Sequence, residues 1–372
     1  MRQIMKMETP SGWMTQIDQI PNISTLRRDD REKLACVIQN YPMRVTDYYS
    51  SLIDWDDPED PIRKLALPSL FEIDEAGELD TSGEASNTKF EGLQHKYETT
   101  ALVLSTNVCY MYCRHCFRKR MVGSSQEEIN RRLNETVHYI QNHKEINNVL
   151  ITGGDAFALS NQQIKRYLAA LSEVETLDYI RFGTRTPVVY PSRITDDLEL
   201  LSILRTYRKK KAIWVVTQFN HPKELTAEAI QSIEALLACG IQVNNQAVVL
   251  KGVNDDPKIM ADLMKALIHN GVNPYYIFQC RPVKAVKNQF QVPLLETNRI
   301  IEEAKAHLDG FSKRFKLIMS HPRGKIEILG QMEDRMLYRF HQAKHEEDQG
   351  RFFSTEIVEE ACWLSEDLKP IK

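Results

Sequence analysis

Between about residue 100 and residue 330 the sequence predicts an α/β domain, a parallel sheet with helices outside it. Six short segments, "TALVLST", "NNVLITGG", "LDYIRFGT", "AIWVVTQF", "IQVNNQAVV" and "NPYYIFQ", are apolar and rich in β-branched residues, as buried strands are. Amphipathic stretches separate them, among them "SQEEINRRLNETVHYIQNH", "LTAEAIQSIEALLACG" and "DPKIMADLMKALIHNG". The last two close on Gly240 and Gly271, the residue a helix end favours. Strand–helix units in series build either a barrel or an open doubly wound sheet, and in both the ligands sit at the C-terminal ends of the strands.

Ahead of this domain, "STLRRDDREKLACVIQNY" predicts a helix capped by its serine, with Leu34, Val37 and Ile38 on one face. Prolines at 42, 58, 61 and 68 divide the next stretch into turns and short helices. Residues 74–88, "DEAGELDTSGEASNT", are acidic and small and read as a linker. The chain thus divides into a helical N-terminal region with its linker (1–95), the α/β domain (96–330) and a small helical or mixed C-terminal extension (331–372).

The 372 residues are 42% hydrophobic and 27% charged, with a net charge of −3. That balance offers no general attraction to nucleic acid or an anionic membrane. No apolar run approaches the roughly 18 residues of a membrane span. The start, "MRQIMKMETPSGWMTQID", lacks the apolar core of an export signal, which points to the cytoplasm. Thiols stay reduced there, so clustered cysteines serve a metal or catalysis rather than a disulfide.

Every chemically unusual stretch follows a strand: the cysteines, "TGGD", "GTRTPVV", "TQFNHP", "NNQ" and "QCRPV". They are expected to meet at one mouth. Cys109, Cys113 and Cys116 have C-x3-C-x2-C spacing, which suits zinc or an iron–sulfur cluster. Three thiolates are one too few for a closed zinc site. His115 adjoins Cys116, so their side chains diverge, and no second C-x2-C occurs. A four-iron cluster with one iron open to an outside ligand fits; zinc, or cysteines packed as small hydrophobes, are the alternatives. In "LITGGDA", Gly153 and Gly154 let backbone approach a ligand, while Asp155 either serves the site or caps the next helix.

Together these two loops resemble the radical S-adenosylmethionine (SAM) superfamily. "CYMYCRHCFRKRMVG", "LITGGDAFALS", "TRTPVVYPSRIT", "FNHPKELT", "NNQAVVLKGVND" and "PYYIFQC" look more narrowly like the lysine 2,3-aminomutase family, in register from about residue 40 to about residue 330. The resemblance implies a partial (β/α)6 barrel. It implies a [4Fe-4S] cluster on Cys109, Cys113 and Cys116 whose open iron holds SAM, so that reductive cleavage releases a 5′-deoxyadenosyl radical. It further implies pyridoxal 5′-phosphate (PLP) and movement of an amino group from the α to the β carbon of an amino acid. Gly153, Gly154, Asp155 and Gln246 then serve SAM. Lys96 and Tyr97 stand where the family keeps an Arg–Tyr pair at PLP. Lys325, on a short glycine loop after the strand "FKLIMS", matches the PLP lysine, and Arg118 matches the arginine that holds the substrate α-carboxylate. Lys119 and Arg120 are expected to be solvated neighbours. An electron donor such as flavodoxin or ferredoxin and a homo-oligomeric assembly also follow from the resemblance.

Four departures from the family pattern stand out. The glycine run before Lys325 is shortened and holds His321 and Arg323. Thr100 replaces an arginine near the PLP phosphate, with Arg323 as its candidate substitute. The zinc cysteines of the family's C-terminal tail are absent, with Cys362 alone there. Finally, two aspartates that hold the lysine side-chain ammonium become Arg281 and Ser320. An ammonium facing Arg281 loses its pairing and gains repulsion, so an acidic or polar substrate such as glutamate is expected. In a purely structural role Arg281 would pair with Glu327. The competing functional readings are a PLP-independent radical SAM enzyme acting on a carboxylate substrate, and a zinc-stabilised binding module.

Overall fold

The structure, a computed structural model, describes residues 12–124 and 127–372. Twelve strands form one sheet in sequence order. They are β1 (Thr88–Phe90), β2 (Leu93–Tyr97), β3 (Thr100–Thr106), β4 (Asn148–Gly153), β5 (Tyr179–Gly183), β6 (Ala212–Thr217), β7 (Gln242–Val249), β8 (Asn273–Gln279), β9 (Lys316–His321), β10 (Gly324–Met332), β11 (Arg335–Ala343) and β12 (Phe352–Glu356). The run β3 to β9 is parallel throughout, and antiparallel strands flank it on both sides. The six predicted strands are β3 to β8; β9, the segment "FKLIMS", adds a seventh parallel member. Helices Leu133–Asn142, Asn161–Ser172, Leu198–Arg208, Ala227–Ala238, Pro257–His269 and Leu294–Ala306 make the crossovers.

Strand parity sorts the residues. On β5, Ile180 and Phe182 are fully buried, whereas Tyr179, Arg181 and Gly183, on the opposite face, are half-buried. Helix starts are fixed locally: Ser160, Asp197, Thr226 and Asp256 each accept a backbone N–H of the first turn. The two flanks of the sheet meet through side chains. Lys96 at the end of β2 donates to the His321 carbonyl on β9 at 2.7 Å, and the Lys325 ammonium of β10 lies 4.5 Å from the Tyr97 ring centre.

Several expectations change. The N-terminal helix spans Arg28–Asn40, with Leu34 and Val37 buried as expected, but its N-cap is Arg27 and not Ser24. The helix expected from residue 125 begins at Leu133; Ser125 and Gln126 lie outside the described residues, as does the start of the chain to residue 11. The acidic stretch 74–88 is no free tether. Glu78 bridges to Val283, and Thr81, Ser82, Glu84 and Asn87 are buried. The C-terminal extension, expected to be helical or mixed, is mixed but mostly strand: β10 continues to Met332 and pairs with β11, which pairs with β12, and one short helix, Glu346–Asp348, lies between β11 and β12. A division at residue 330 therefore cuts through a strand. No helix of the described residues is long and apolar enough to cross a membrane.

The glycine pair at the end of β4 packs the sheet against the cysteine loop. A Cβ on Gly153 would lie 2.3 Å from the Thr106 carbonyl oxygen, and one on Gly154 would lie 2.4 Å from that of Val108. Gly153 also has φ +117°, which L side chains rarely adopt. Gly153→Ala should therefore lower unfolding free energy by about 1–3 kcal/mol from backbone strain alone. A urea midpoint equal to the wild type would show that this contact yields freely.

Candidate functional site

The cysteine loop follows β3 and is bolted down by buried charge. Arg114 is fully buried and donates from Nε to Glu72 at 2.9 Å, pairing with the same carboxylate through Nη2; Lys119 reaches that carboxylate at 2.7 Å. Arg118 donates from Nε and Nη2 to Glu84 Oε1 at 2.9 and 2.7 Å, and Arg120 reaches Glu84 Oε2 at 2.7 Å. Burial alone would push the Glu84 carboxyl up, but Arg118 and Arg120 overcome it and hold it at about 2. Lys119 and Arg120 are thus not solvated: Lys119 also donates to the Arg114 and Ala285 carbonyls, and burial lowers its ammonium to about 8.

The three cysteines stay on this one loop, half-buried, with Cys109 and Cys116 packed against Leu104, Met121 and Val122. Burial, then Asp155 and the other two thiols, pushes Cys109 up; burial and Cys113 push Cys116 to about 11. Thiols so placed ionise when a metal compensates their charge. Among the described residues no three thiol, imidazole or carboxyl groups converge on a single ion. A four-iron cluster needs no such convergence, since each thiolate binds a different iron. The donor set therefore fits a cluster better than a lone zinc. Arg185, from the loop after β5, donates from Nη1 to Cys113 Sγ at 2.9 Å. His115 is held by Gln218 and Asn220, which leaves it out of the thiol group as its spacing implied.

The "TGGD" loop is brought beside the cysteines, but its polar groups are turned inward. The N–H of Gly154 donates to Thr106 and that of Asp155 to Val108. The Asp155 carboxylate accepts from the Phe157 and Arg185 N–H groups and the Thr184 and Thr186 hydroxyls. Asp155 thus ties the loops after β4 and β5 together and caps the short helix Ala156–Ala158. Those two N–H groups are not free for a ligand. Gln246 is half-buried within β7, opposite Tyr276 of β8, and so lies on a strand that neither the cysteine loop nor the "TGGD" loop follows.

On the other flank four cations gather. Lys325 is no loop residue: it is second in β10, paired with Ser320 of β9 and Gln342 of β11, and its ammonium donates to the Gln342 side chain. The glycine run of the family is replaced by a tight hairpin in which His321 pairs with Gly324 across Pro322 and Arg323. Lys96 donates to the His321 and Ser82 carbonyls at 2.7 and 3.3 Å. Arg281 donates to Ser82 Oγ at 2.6 Å and Ser320 Oγ at 2.7 Å. The two residues expected at the substrate side chain are therefore in contact. Arg181 of β5 completes the set, bonded to Asn148. Burial, then Arg181, Lys96 and Arg281, lowers Lys325 to about 7, and burial followed by Arg281 brings Lys96 to about 7.

Among the described residues none of these four cations is in an ion pair, whereas each cation of the cysteine loop is. Glu327 is held by Lys316 at 2.8 Å and does not pair with Arg281. Arg323 pairs with Asp348 through Nε and Nη2 at 2.9 and 2.8 Å, which removes it as the phosphate contact. Unbalanced positive charge beside the Tyr97 and Tyr276 rings suits a flat, anionic cofactor, so these residues fit PLP. Glu72, Glu84, Arg185 and Gln342 carried no local sequence signal for their roles. Arg181 did: it is a charge in the middle of the apolar strand "LDYIRFGT".

The radical SAM superfamily model matches residues 103–264. The chain is 39% identical to a relative from Aquifex aeolicus over 92% of each protein. It is 36% identical to L-lysine 2,3-aminomutase of Clostridium subterminale, covering 79% of this chain and 70% of that one. It is also 36% identical to glutamate 2,3-aminomutase of Clostridioides difficile, covering 81% and 71%.

Two outcomes follow from the charges. Glu84→Gln leaves Arg118 buried without its carboxylate, while Arg120 keeps Glu128, and should cost about 3–5 kcal/mol of unfolding free energy; a loss under about 0.5 kcal/mol would mean the Arg118–Glu84 pair is structurally idle. Lys325 and Lys96 have folded values near 7 against an ordinary 10.5. Below pH 7 both states are protonated and the burial cost is fully present. Between about 7 and 10.5 the unfolded chain holds protons the folded one has released, so stability should rise with pH. Lys325→Met should flatten that rise between pH 7 and 9 in urea melts; an unchanged slope would contradict the burial of Lys325.

Proposed function

Because the chain belongs to the lysine 2,3-aminomutase family of radical SAM enzymes, and is an isomerase, we propose that it moves the α-amino group of an acidic amino acid, such as glutamate, to the β carbon with a [4Fe-4S] cluster, SAM and PLP. The observation that carries the substrate reading is the pair of guanidiniums on one ring. Arg281 lies 4.2 Å and Arg118 4.6 Å from the centre of Phe117. Two cations spaced by an aromatic ring favour a substrate with a carboxylate at each end.

Arg118 is committed to Glu84 through Nε and Nη2. Its Nη1 makes only long contacts, at 3.4 Å, to Thr152 Oγ1 and the Gly153 carbonyl, and that edge is assigned to the substrate α-carboxylate. Arg281, bonded only to hydroxyls, takes the distal carboxylate and repels a lysine ammonium. Lys325, with a value near 7, has a substantial unprotonated fraction at neutral pH, the form that attacks a carbonyl. When bound, cluster and SAM supply the radical that abstracts hydrogen, and PLP supplies the conjugated system through which nitrogen changes carbon. The cluster's electron is proposed to come from a donor such as flavodoxin or ferredoxin.

A second reading, a radical SAM enzyme without PLP, is favoured by Thr100 and by the engagement of Arg323 with Asp348. The assay is anaerobic turnover of reconstituted protein with glutamate, aspartate and lysine, with and without PLP, scored by β-amino acid product. An acidic substrate should react only with PLP present. Arg281→Asp should lower its kcat/KM about tenfold to a hundredfold, the worth of a charged hydrogen bond. Preferred turnover of lysine by the wild type would sink the substrate assignment.

A further inference from the structure

Arg181 is a charged residue set between two fully buried neighbours, Ile180 and Phe182, on a strand whose other positions are apolar, aromatic or glycine. Strand parity turns it away from the face that those neighbours bury. Its guanidinium is only partly satisfied. Nη2 donates to Asn148 Oδ1, whereas Nε is buried and, among the described residues, has no partner, and no carboxylate of those residues pairs with the group. A buried guanidinium left in this state costs free energy unless something else supplies acceptors and negative charge.

The residues around it hold it still rather than neutralise it. Asn148 Oδ1 also accepts from Thr100 Oγ1 at 3.2 Å, and Asn148 Nδ2 donates to the Thr99 carbonyl at 3.0 Å and to Asn147 Oδ1 at 2.9 Å. Asn148 is therefore fixed, and Thr100 adds a hydroxyl without adding a cation. Arg181 belongs to the same cation group as Lys325. Of the charges that depress the Lys325 ammonium, Arg181 acts most strongly, and the Tyr276 ring adjoins both residues. The other cations have other duties: Lys96 is engaged on two backbone carbonyls and Arg323 on Asp348, and Arg281 is the guanidinium proposed above for the distal carboxylate of the substrate.

We propose that Arg181, held by Asn148, which Thr100 in turn braces, on the face of the sheet away from Ile180 and Phe182, anchors the phosphate group of PLP. A planar guanidinium with Nε free matches the two-point geometry of phosphate oxygens. This assignment rests on the PLP reading above. It makes Thr100 part of the anchor's support rather than a lost contact, and it gives the charge in the middle of β5 a purpose.

The experiment compares PLP with pyridoxal, which lacks only the phosphate, by titrating each into the anaerobic, cluster-loaded protein and following the absorbance change of the pyridine ring. The wild type should prefer PLP. In Arg181→Gln the PLP-to-pyridoxal affinity ratio should fall at least tenfold with pyridoxal affinity unchanged. Should Arg181→Gln not fold, Arg181→Lys keeps the charge but loses the two-point geometry, and its ratio should fall at least threefold. A wild-type ratio in the variant that folds overturns the assignment to Arg181 alone. A wild type that shows no absorbance change with millimolar PLP overturns both the assignment and the PLP reading.

Discussion

Two buried carboxylates hold the site together. Glu72 and Glu84 come from the N-terminal region, and each accepts two cations from the single loop that carries the cysteines: Arg114 and Lys119 on one, Arg118 and Arg120 on the other. All of these groups except Arg120 are nearly inaccessible to water. Removing one partner strands an uncompensated charge, which is why such a pair is hard to alter piecemeal. The position of the cysteines, the orientation of Arg118 and the seating of the N-terminal region on the sheet all depend on this arrangement.

The charge on the two flanks of the site is balanced differently. Each cation of the cysteine loop has a carboxylate partner, although four of them share Glu72 and Glu84, with Glu128 as a further partner of Arg120; Arg185, which sits on Cys113, is paired with Glu224. The flank at β10 is left cationic, with Lys325, Lys96, Arg281 and Arg181 bonded to hydroxyls, carbonyls and amides. One side is built to hold its own charge in place. The other keeps its positive charge without a carboxylate partner among the described residues, and the depressed ammonium of Lys325 follows from burial and that surplus.

Much of this was readable in the sequence. The alternation of buried strands and amphipathic helices gave the parallel run, because period-2 and period-3.6 patterns are local properties of the chain. The cysteine spacing and the "TGGD" loop were legible for the same reason. What local pattern could not show was partnership at a distance. Glu84 looked like part of an acidic linker until Arg118, 34 residues further on, was seen to bury it. Arg323 looked available for a phosphate until Asp348 took it. The C-terminal extension reads as helical or mixed only if its period-2 signal is passed over: Met336, Tyr338 and Phe340 of β11 are buried, in alternation with the more exposed Arg335, Leu337 and Arg339, as in a half-buried strand.

The sequence by itself determined the radical-generating end of this protein, since three cysteines on one short loop lie close together whatever the rest of the chain does. It also determined the order of strands and helices. Only the tertiary structure decided the receiving end. Lys96, Arg181, Arg281 and Lys325 come from four strands or strand ends across the sheet, and whether each is neutralised or left cationic depends on carboxylates brought by folding. Charge balance in a buried site is a property of three-dimensional neighbours, and no spacing along the chain encodes it.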